Sequence, residues 1–143
     1  ILVNNTTQSN LQHLPSENNI SGCYVITALD EFGNESEPSN EICIENCPIY
    51  DLPNTFTPNG DGDNELFKPL KNFFIASVNF ELFNEWGVKV FETTEPALNW
   101  NGKASDGKEV ADGTYYYVCN AFINTTSGVS NFKKLKGYIN VVR

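Results

Sequence analysis

Val78–Phe91, reading VNFELFNEWGVKVF, decides the fold. In its first arm Val78, Phe80 and Leu82 alternate with Asn79, Glu81 and Phe83, a period of two that gathers one apolar set on one face of a strand. Asn84-Glu85-Trp86-Gly87 interrupts the pattern, and Val88–Phe91 resumes it. Two alternating runs around a turn whose glycine tolerates positive φ read as an antiparallel hairpin. Trp86 is expected to cover the end of the core, and Trp100 to anchor a loop. The same pattern returns at Thr114–Ala121 and Gly137–Val142, with turn clusters at Asn101-Gly102, Asp106-Gly107 and Asp112-Gly113. Short alternating segments without a long helical period imply an all-β chain of antiparallel β-sandwiches. In Tyr115-Tyr116-Tyr117-Val118 both parities are apolar, so the inward set is Tyr115, Tyr117 and Cys119 or their neighbours.

The segment before this hairpin, PNTFTPNGDGDNELF at Pro53–Phe67, joins two tight turns to an acidic ladder. Asn59-Gly60 and Asp61-Gly62 are turn dipeptides, and Pro58 fixes the entry to them. Asn59, Asp61, Asp63 and Glu65 place side-chain oxygens at every second position, as in the front half of a calcium loop. No glutamate stands where such a loop would need its bidentate ligand; Leu70 does. The competing reading is a turn stabilised by its own Asx side chains. Calcium is the only cofactor these residues suggest.

Charge is unevenly spread over the 143 residues. Residues 1–65 contain eleven of the eighteen acids and no lysine or arginine, whereas 133–143 hold Lys133, Lys134, Lys136 and Arg143 and no acid. An acidic chain lacks the basic surface that displaces counterions from phosphates, which argues against nucleic-acid binding. The basic end reads either as an edge strand blunted by lysines or as a recognition element. No apolar run approaches the roughly 18 residues that span a bilayer. The chain starts at Ile1 without Met or a signal-peptide pattern, and so reads as a piece of a longer protein.

Ile1–Val3 suggests a short strand and Pro15–Asn19 a loop. Cys23–Leu29 alternates, Asp30–Asn40 is rich in turn residues, and Ile42 and Ile44 point inward on a second run, which together make an antiparallel hairpin. Of the four cysteines, only Cys43 and Cys47 are close in sequence, and His13 is the sole histidine, so a zinc site is disfavoured. Disulfides suit better, with free buried thiols as the alternative. If Ala28 faces Ile42, Cys23 lies opposite Cys47; a rival pairing joins Cys23 to Cys43 and Cys47 to Cys119. Either way a bridge from Cys23 into the 43–47 segment is expected.

Two resemblances follow from these residues. YVITALDEFGNESEPSNEICI at 24–44 resembles the last two strands of a fibronectin type III domain, with only the rear part of such a domain present in residues 1–47. From 48 to 143, PNTFTPNGDGDNELF, FELFNEWGVKVFET (80–93), WNGK (100–103), DGTYYY (112–117) and LKGYINVVR (135–143) occur in order. Together they resemble the gliding-motility-associated C-terminal domain, the type B sorting domain of the Bacteroidota type IX secretion system. Asn64-Glu65 departs from the Asn-Asp usual in that family.

The resemblance implies a secretion signal on a large surface protein, such as an adhesin. That signal would be read by translocon components and the protein held at the outer-membrane surface by a PorP/SprF-like barrel. Docking is expected on the final strand, through Lys134, Lys136, Gly137, Tyr138, Val141, Val142 and Arg143, with the strand edge free to pair. The competing class is a carbohydrate-binding sandwich with Trp86, Trp100 and the tyrosines stacked on sugar faces. Catalysis is not expected, since a lone histidine supplies no nucleophile–base pair.

Overall fold

The computed structural model describes Thr7 and residues 20–143. The expected strand at Ile1–Val3, the loop at Pro15–Asn19 and His13 lie outside the described residues. All described elements are strands: β1 (Gly22–Tyr24), β2 (Ile42–Ile44), β3 (Ile49–Asp51), β4 (Thr55–Phe56), β5 (Lys71–Phe73), β6 (Ser77–Phe83), β7 (Lys89–Thr93), β8 (Gly113–Thr125) and β9 (Gly128–Val141). They form a five-stranded sheet in the order β4-β9-β8-β6-β7, a β3-β5 pair and a β1-β2 pair. The protein is an all-β sandwich, with the large sheet as one layer.

The hairpin that opened the sequence is β6–β7, paired from Phe80↔Thr93 to Phe83↔Lys89 across a bulge. Asn84 closes the turn by itself, its Oδ1 accepting the N–H groups of Trp86 (3.1 Å) and Val88 (2.9 Å). The tip therefore needs no aromatic cover, and Trp86 is 78% exposed, contrary to the expectation that it caps the core. β6 also pairs with β8 in a register that sets Phe80 opposite Cys119 and Leu82 opposite Tyr117. Directly opposed residues share a face, so the inward parity of β6 selects Tyr115, Tyr117, Cys119 and Ala121 from the ambiguous run, and all four are buried.

β8 and β9 form a long hairpin whose β9 arm starts well before the expected Gly137. Serine, asparagine and lysine conceal this half, most of which is exposed although Phe132 and Leu135 pack against the core. Gly137 is the exception within β9. A Cβ there would lie 2.7 Å from the Tyr117 hydroxyl oxygen and 2.8 Å from Cζ, so the Tyr117 ring occupies the space that a side chain would need.

The second layer is built from β3–β5 and the loops around Phe67 and Trp100. Phe67 and Trp100 exchange backbone hydrogen bonds at 2.8 and 3.1 Å. Trp100 is 1% exposed and donates its indole N–H to the Lys103 carbonyl at 2.7 Å, the loop anchor expected of it. β4 departs from the antiparallel expectation: Thr55–Phe56 lies parallel to β9, opposite Asn140 and Val141. Two residues are too few to carry a readable pattern.

The β1–β2 hairpin has Cys23 opposite Cys43, joined by a disulfide, rather than Ala28 opposite Ile42. The turn sets the register. Asp30 Oδ1 accepts the N–H groups of Phe32 and Asn34, which tightens the tip and draws Glu35–Ser39 back along the first arm. There Ser36 and Ser39 hydroxyls accept from Ala28 and Ile26. Ile42 and Ile44, expected to face inward, are exposed among the described residues, as is Ile26. Glu45 and Asn46 clasp this hairpin to the β8–β9 turn: the Glu45 carboxylate accepts the Thr126 hydroxyl, and the Asn46 amide donates to the Asn124 carbonyl at 2.7 Å.

Gly137→Ala is expected to lose about 1–3 kcal/mol, the usual cost of overpacking. Lys136→Ala, on the opposite parity, should stay within about 0.5 kcal/mol. Urea unfolding of both variants measures the difference.

Candidate functional site

The acidic turn folds on itself. Asn59 Oδ1 accepts the Asp61 N–H (3.1 Å), and the Asp61 carboxylate accepts both the Asn59 amide (2.9 Å) and the Asp63 N–H (2.8 Å). Glu65 Oε1 accepts the Gly62 N–H at 3.2 Å. The hydrogen bond from the Asp63 N–H, followed by that from Asn59, holds the Asp61 carboxyl below its ordinary pKa. These oxygens are spent on Asx turns. Among the described residues the carboxylates of Asp61, Asp63 and Glu65 do not converge as a group, and the bonds within the segment are those of the turn reading. The group that does converge among the described residues, Cys23-Glu41-Cys43, has both sulfurs in the disulfide.

Beside this turn Arg143 ties together the loops at Gly102 and at residues 110–112. Its Nη1 donates to the Val110 carbonyl (2.7 Å) and to Asp112 Oδ1 (2.8 Å), and its Nη2 to the Gly102 carbonyl (3.4 Å). Its backbone N–H reaches Asp112 Oδ2 at 3.2 Å. Gly102 (φ 76°) lies under both Pro58 and this guanidinium: a Cβ would sit 3.1 Å from Pro58 Cγ and 3.2 Å from Nη2. A shallow depression of about 570 Å³ opens beside them, lined by Asn59, Glu65, Asn101, Lys103, Glu109 and Arg143 among others. Motifs spread along the sequence as TPNGDG, WNG, DGTY and VVR thus meet at one pole of the sandwich.

The residues proposed from sequence as a partner surface separate into two groups. Val141 is a core residue, Gly137 receives the Tyr117 ring, and the Arg143 side chain, 22% exposed, is committed to its clamp. These three act through the fold, a correction to their assignment as contact residues. Lys134, Lys136, Tyr138 and Val142 are exposed. Strand pairing aligns Phe83, Tyr116 and Tyr138 across the solvent face of the sheet, with Glu81, Val118 and Lys136 in the next row. The strand edge is closed at Val142, whose N–H donates to the Phe56 carbonyl. Sequence reasoning missed the Arg143–Asp112 clamp, because a base near other bases gives no sign of which carbonyls it will meet.

Cys47 is free and exposed, and Cys119 is free and buried, so neither the Cys23–Cys47 register nor a Cys47–Cys119 staple forms. Burial pushes the Cys119 thiol up to about 11, which keeps it protonated and unreactive. Trp100, Tyr115 and Tyr117 are in the core and Trp86 is exposed at a hairpin tip, so of the aromatics expected to stack on sugars Tyr116 and Tyr138 are the pair that share an exposed face. Among the described residues no helix is long and apolar enough to cross a membrane.

The fold thus gathers its signature residues at one pole. The chain belongs to the CHU_C Type IX secretion signal domain family, whose model matches residues 50–141. No curated protein matches the chain. The family makes this a secreted protein whose signal domain engages the type IX secretion machinery.

Arg143→Ala is expected to destabilise the domain by about 1–3 kcal/mol, the range for hydrogen bonds to a charged group with partial exposure. Thermal melts of Arg143→Ala and Arg143→Lys check it, with lysine recovering little because it lacks the planar fork. Asp61 provides the pH prediction. Its depressed folded pKa means that its stabilisation is complete above the unfolded value and is lost as pH falls through the folded one. Asp61→Asn should lower the melting temperature near neutrality and converge with the parent chain well below about pH 4. Calcium in millimolar excess, or EDTA, should leave both melts unmoved.

Proposed function

We propose that residues 48–143 are a non-catalytic address and anchor, presented as a folded surface on a large secreted protein of adhesin type. On this reading translocon components recognise the domain during export, and a PorP/SprF-like outer-membrane barrel then holds the protein at the cell surface. Residues 1–47 are the rear of a fibronectin type III-like stalk unit, whose remaining strands would cover Ile26, Ile42 and Ile44.

The convergence of the motifs at the Arg143 pole carries this reading. Pro58, Gly102, Asp112 and Arg143 form a connected surface only when the sandwich is closed, so a signal that uses them is conformational and not a linear tag. The absence of a paired nucleophile and base among the described residues favours binding over catalysis, because the buried Cys119 thiol has no basic neighbour to activate it. The exposed Cys23–Cys43 disulfide suits an oxidising, extracytoplasmic location.

A reporter fused ahead of the full chain in a bacterium with a working type IX system should appear at the cell surface. Removing the barrel should move the reporter to the medium without blocking export. Trp100→Ala, which empties the core by about 3–5 kcal/mol while leaving the exposed residues in place, should stop display. Retention of the reporter in the periplasm with the unaltered chain would overturn the assignment.

A further inference from the structure

β9 has one side closed by β8 throughout, while among the described residues its other side is closed by β4 only at Asn140 and Val141. The two bonds that close it fix the phase of the rest. Asn140 N–H donates to the Asn54 carbonyl (2.8 Å) and Val142 N–H to the Phe56 carbonyl (3.3 Å), so the even-numbered residues turn their backbone groups away from β8. Alternation along a strand carries this phase back to Tyr138, Lys136 and Lys134. It ends at Phe132, the extra residue where Lys133 pairs with Ala121 but Asn131 pairs with Phe122. The result is a regular open slot, Lys133–Tyr138, bounded by a bulge and by β4.

The opposite edge of the sheet offers no such slot. On β7 the Val90 carbonyl accepts both the N–H (3.1 Å) and the hydroxyl (3.3 Å) of Ser105, and Lys89 is held by Glu81 and Glu92. Around the β9 slot the charge is of one sign: Lys133, Lys134 and Lys136 are exposed and have no ion-pair partner among the described residues. Tyr138, 46% exposed and opposite Tyr116, gives the far end an aromatic floor.

We propose that Lys133–Tyr138 is a strand-addition site for an acidic extended segment of a partner protein. The inference rests on the secretion-signal reading, under which that partner belongs to the export or retention apparatus. The added strand makes backbone hydrogen bonds with Lys134, Lys136 and Tyr138. On its solvent face it carries carboxylates beside Lys134 and Lys136, and an apolar residue beside Tyr138. Lysines also blunt exposed edges against pairing; an edge with only that role would bind neither an acidic nor a basic strand.

The test uses the full chain and two blocked peptides, one alternating Glu and Val and one alternating Lys and Val, followed by amide hydrogen exchange. The Glu peptide is expected to slow exchange at the amides of Lys134, Lys136 and Tyr138 at least tenfold, and the Lys peptide to leave them unchanged. Lys136→Pro removes an outward N–H that β8 does not use, a position where a strand tolerates proline. It should weaken Glu-peptide binding at least tenfold with little change in the melt. Lys134→Glu with Lys136→Glu leaves the backbone intact and should transfer the preference to the Lys peptide.

No protection at those three amides, or equal binding by Lys136→Pro, overturns the proposal. So does a chain that sediments as a dimer with these amides already protected, since the occupant is then a second copy. Reporter display separates the two readings. If a stably folded Lys136→Pro chain still displays its reporter, the edge is not the export contact and the secretion reading stands. If the unaltered chain fails to display, that reading fails while the exchange data still decide whether the edge takes an acidic strand.

Discussion

The domain depends on Trp100. A five-stranded sheet with one apolar face needs a second layer, and here that layer is mostly loop. The indole brings it down onto the sheet, within ring-contact distance of Phe56 (5.2 Å), Phe91 (5.8 Å) and Tyr115 (6.1 Å). Its backbone is tied to Phe67, and its N–H to Lys103. To deliver it inward, Leu98 and Asn99 both adopt positive φ, at 58° and 51°. Left-handed geometry costs about 1–2 kcal/mol for a residue with a side chain. Burial of a tryptophan is worth about 3–5 kcal/mol by truncation, enough to hold the strained pair in place.

Where alternation was one-sided, the sequence was readable. Val78, Phe80 and Leu82 declared their face, and through pairing they settled the parity of β8, which four successive apolar residues had left open. The turns were legible because each carries its own chemistry in an Asn or Asp that caps the backbone. What stayed hidden depended on distant partners. The first half of β9 is largely exposed and mixes polar with apolar residues, β4 is too short to show a period, and Trp86 looks like a core residue until its turn proves self-sufficient. The Cys23–Cys47 register failed for a related reason, although Cys23 does bridge into the 43–47 segment. The Asp30 carboxylate accepts backbone N–H groups that set the turn elsewhere, and the whole arm follows it.

The basic end of the chain shows why charge alone misassigns roles. Lys134, Lys136 and Arg143 belong to the same acid-free stretch, yet they face opposite problems. The lysines lie on the water side of a strand with no ion-pair partner among the described residues, so their charge is available. Arg143 reaches two carbonyls and a carboxylate from one planar group, a geometry that an ammonium on a flexible stem cannot reproduce. Its charge is consumed internally. What distinguishes them is the set of acceptors that the fold brings within reach.

That division bears on how the signal is presented. The Arg143 clamp and the Gly102 contact fix the pole, and the same β4 pairing that supports the pole also defines one end of the open β9 slot. Pole and edge are therefore consequences of one closed structure. A domain of this size has about 5–15 kcal/mol of stability in total. A loss of 1–2 kcal/mol leaves nearly every molecule folded and both surfaces intact, whereas opening the core removes both together. Variants that block recognition with little loss of stability consequently mark contact residues, and those that block it only by unfolding mark the scaffold. By that criterion the proposed strand-addition site would place Lys134, Lys136 and Tyr138 in the first kind, while the packing of Trp100, Gly137 and Arg143 puts them in the second.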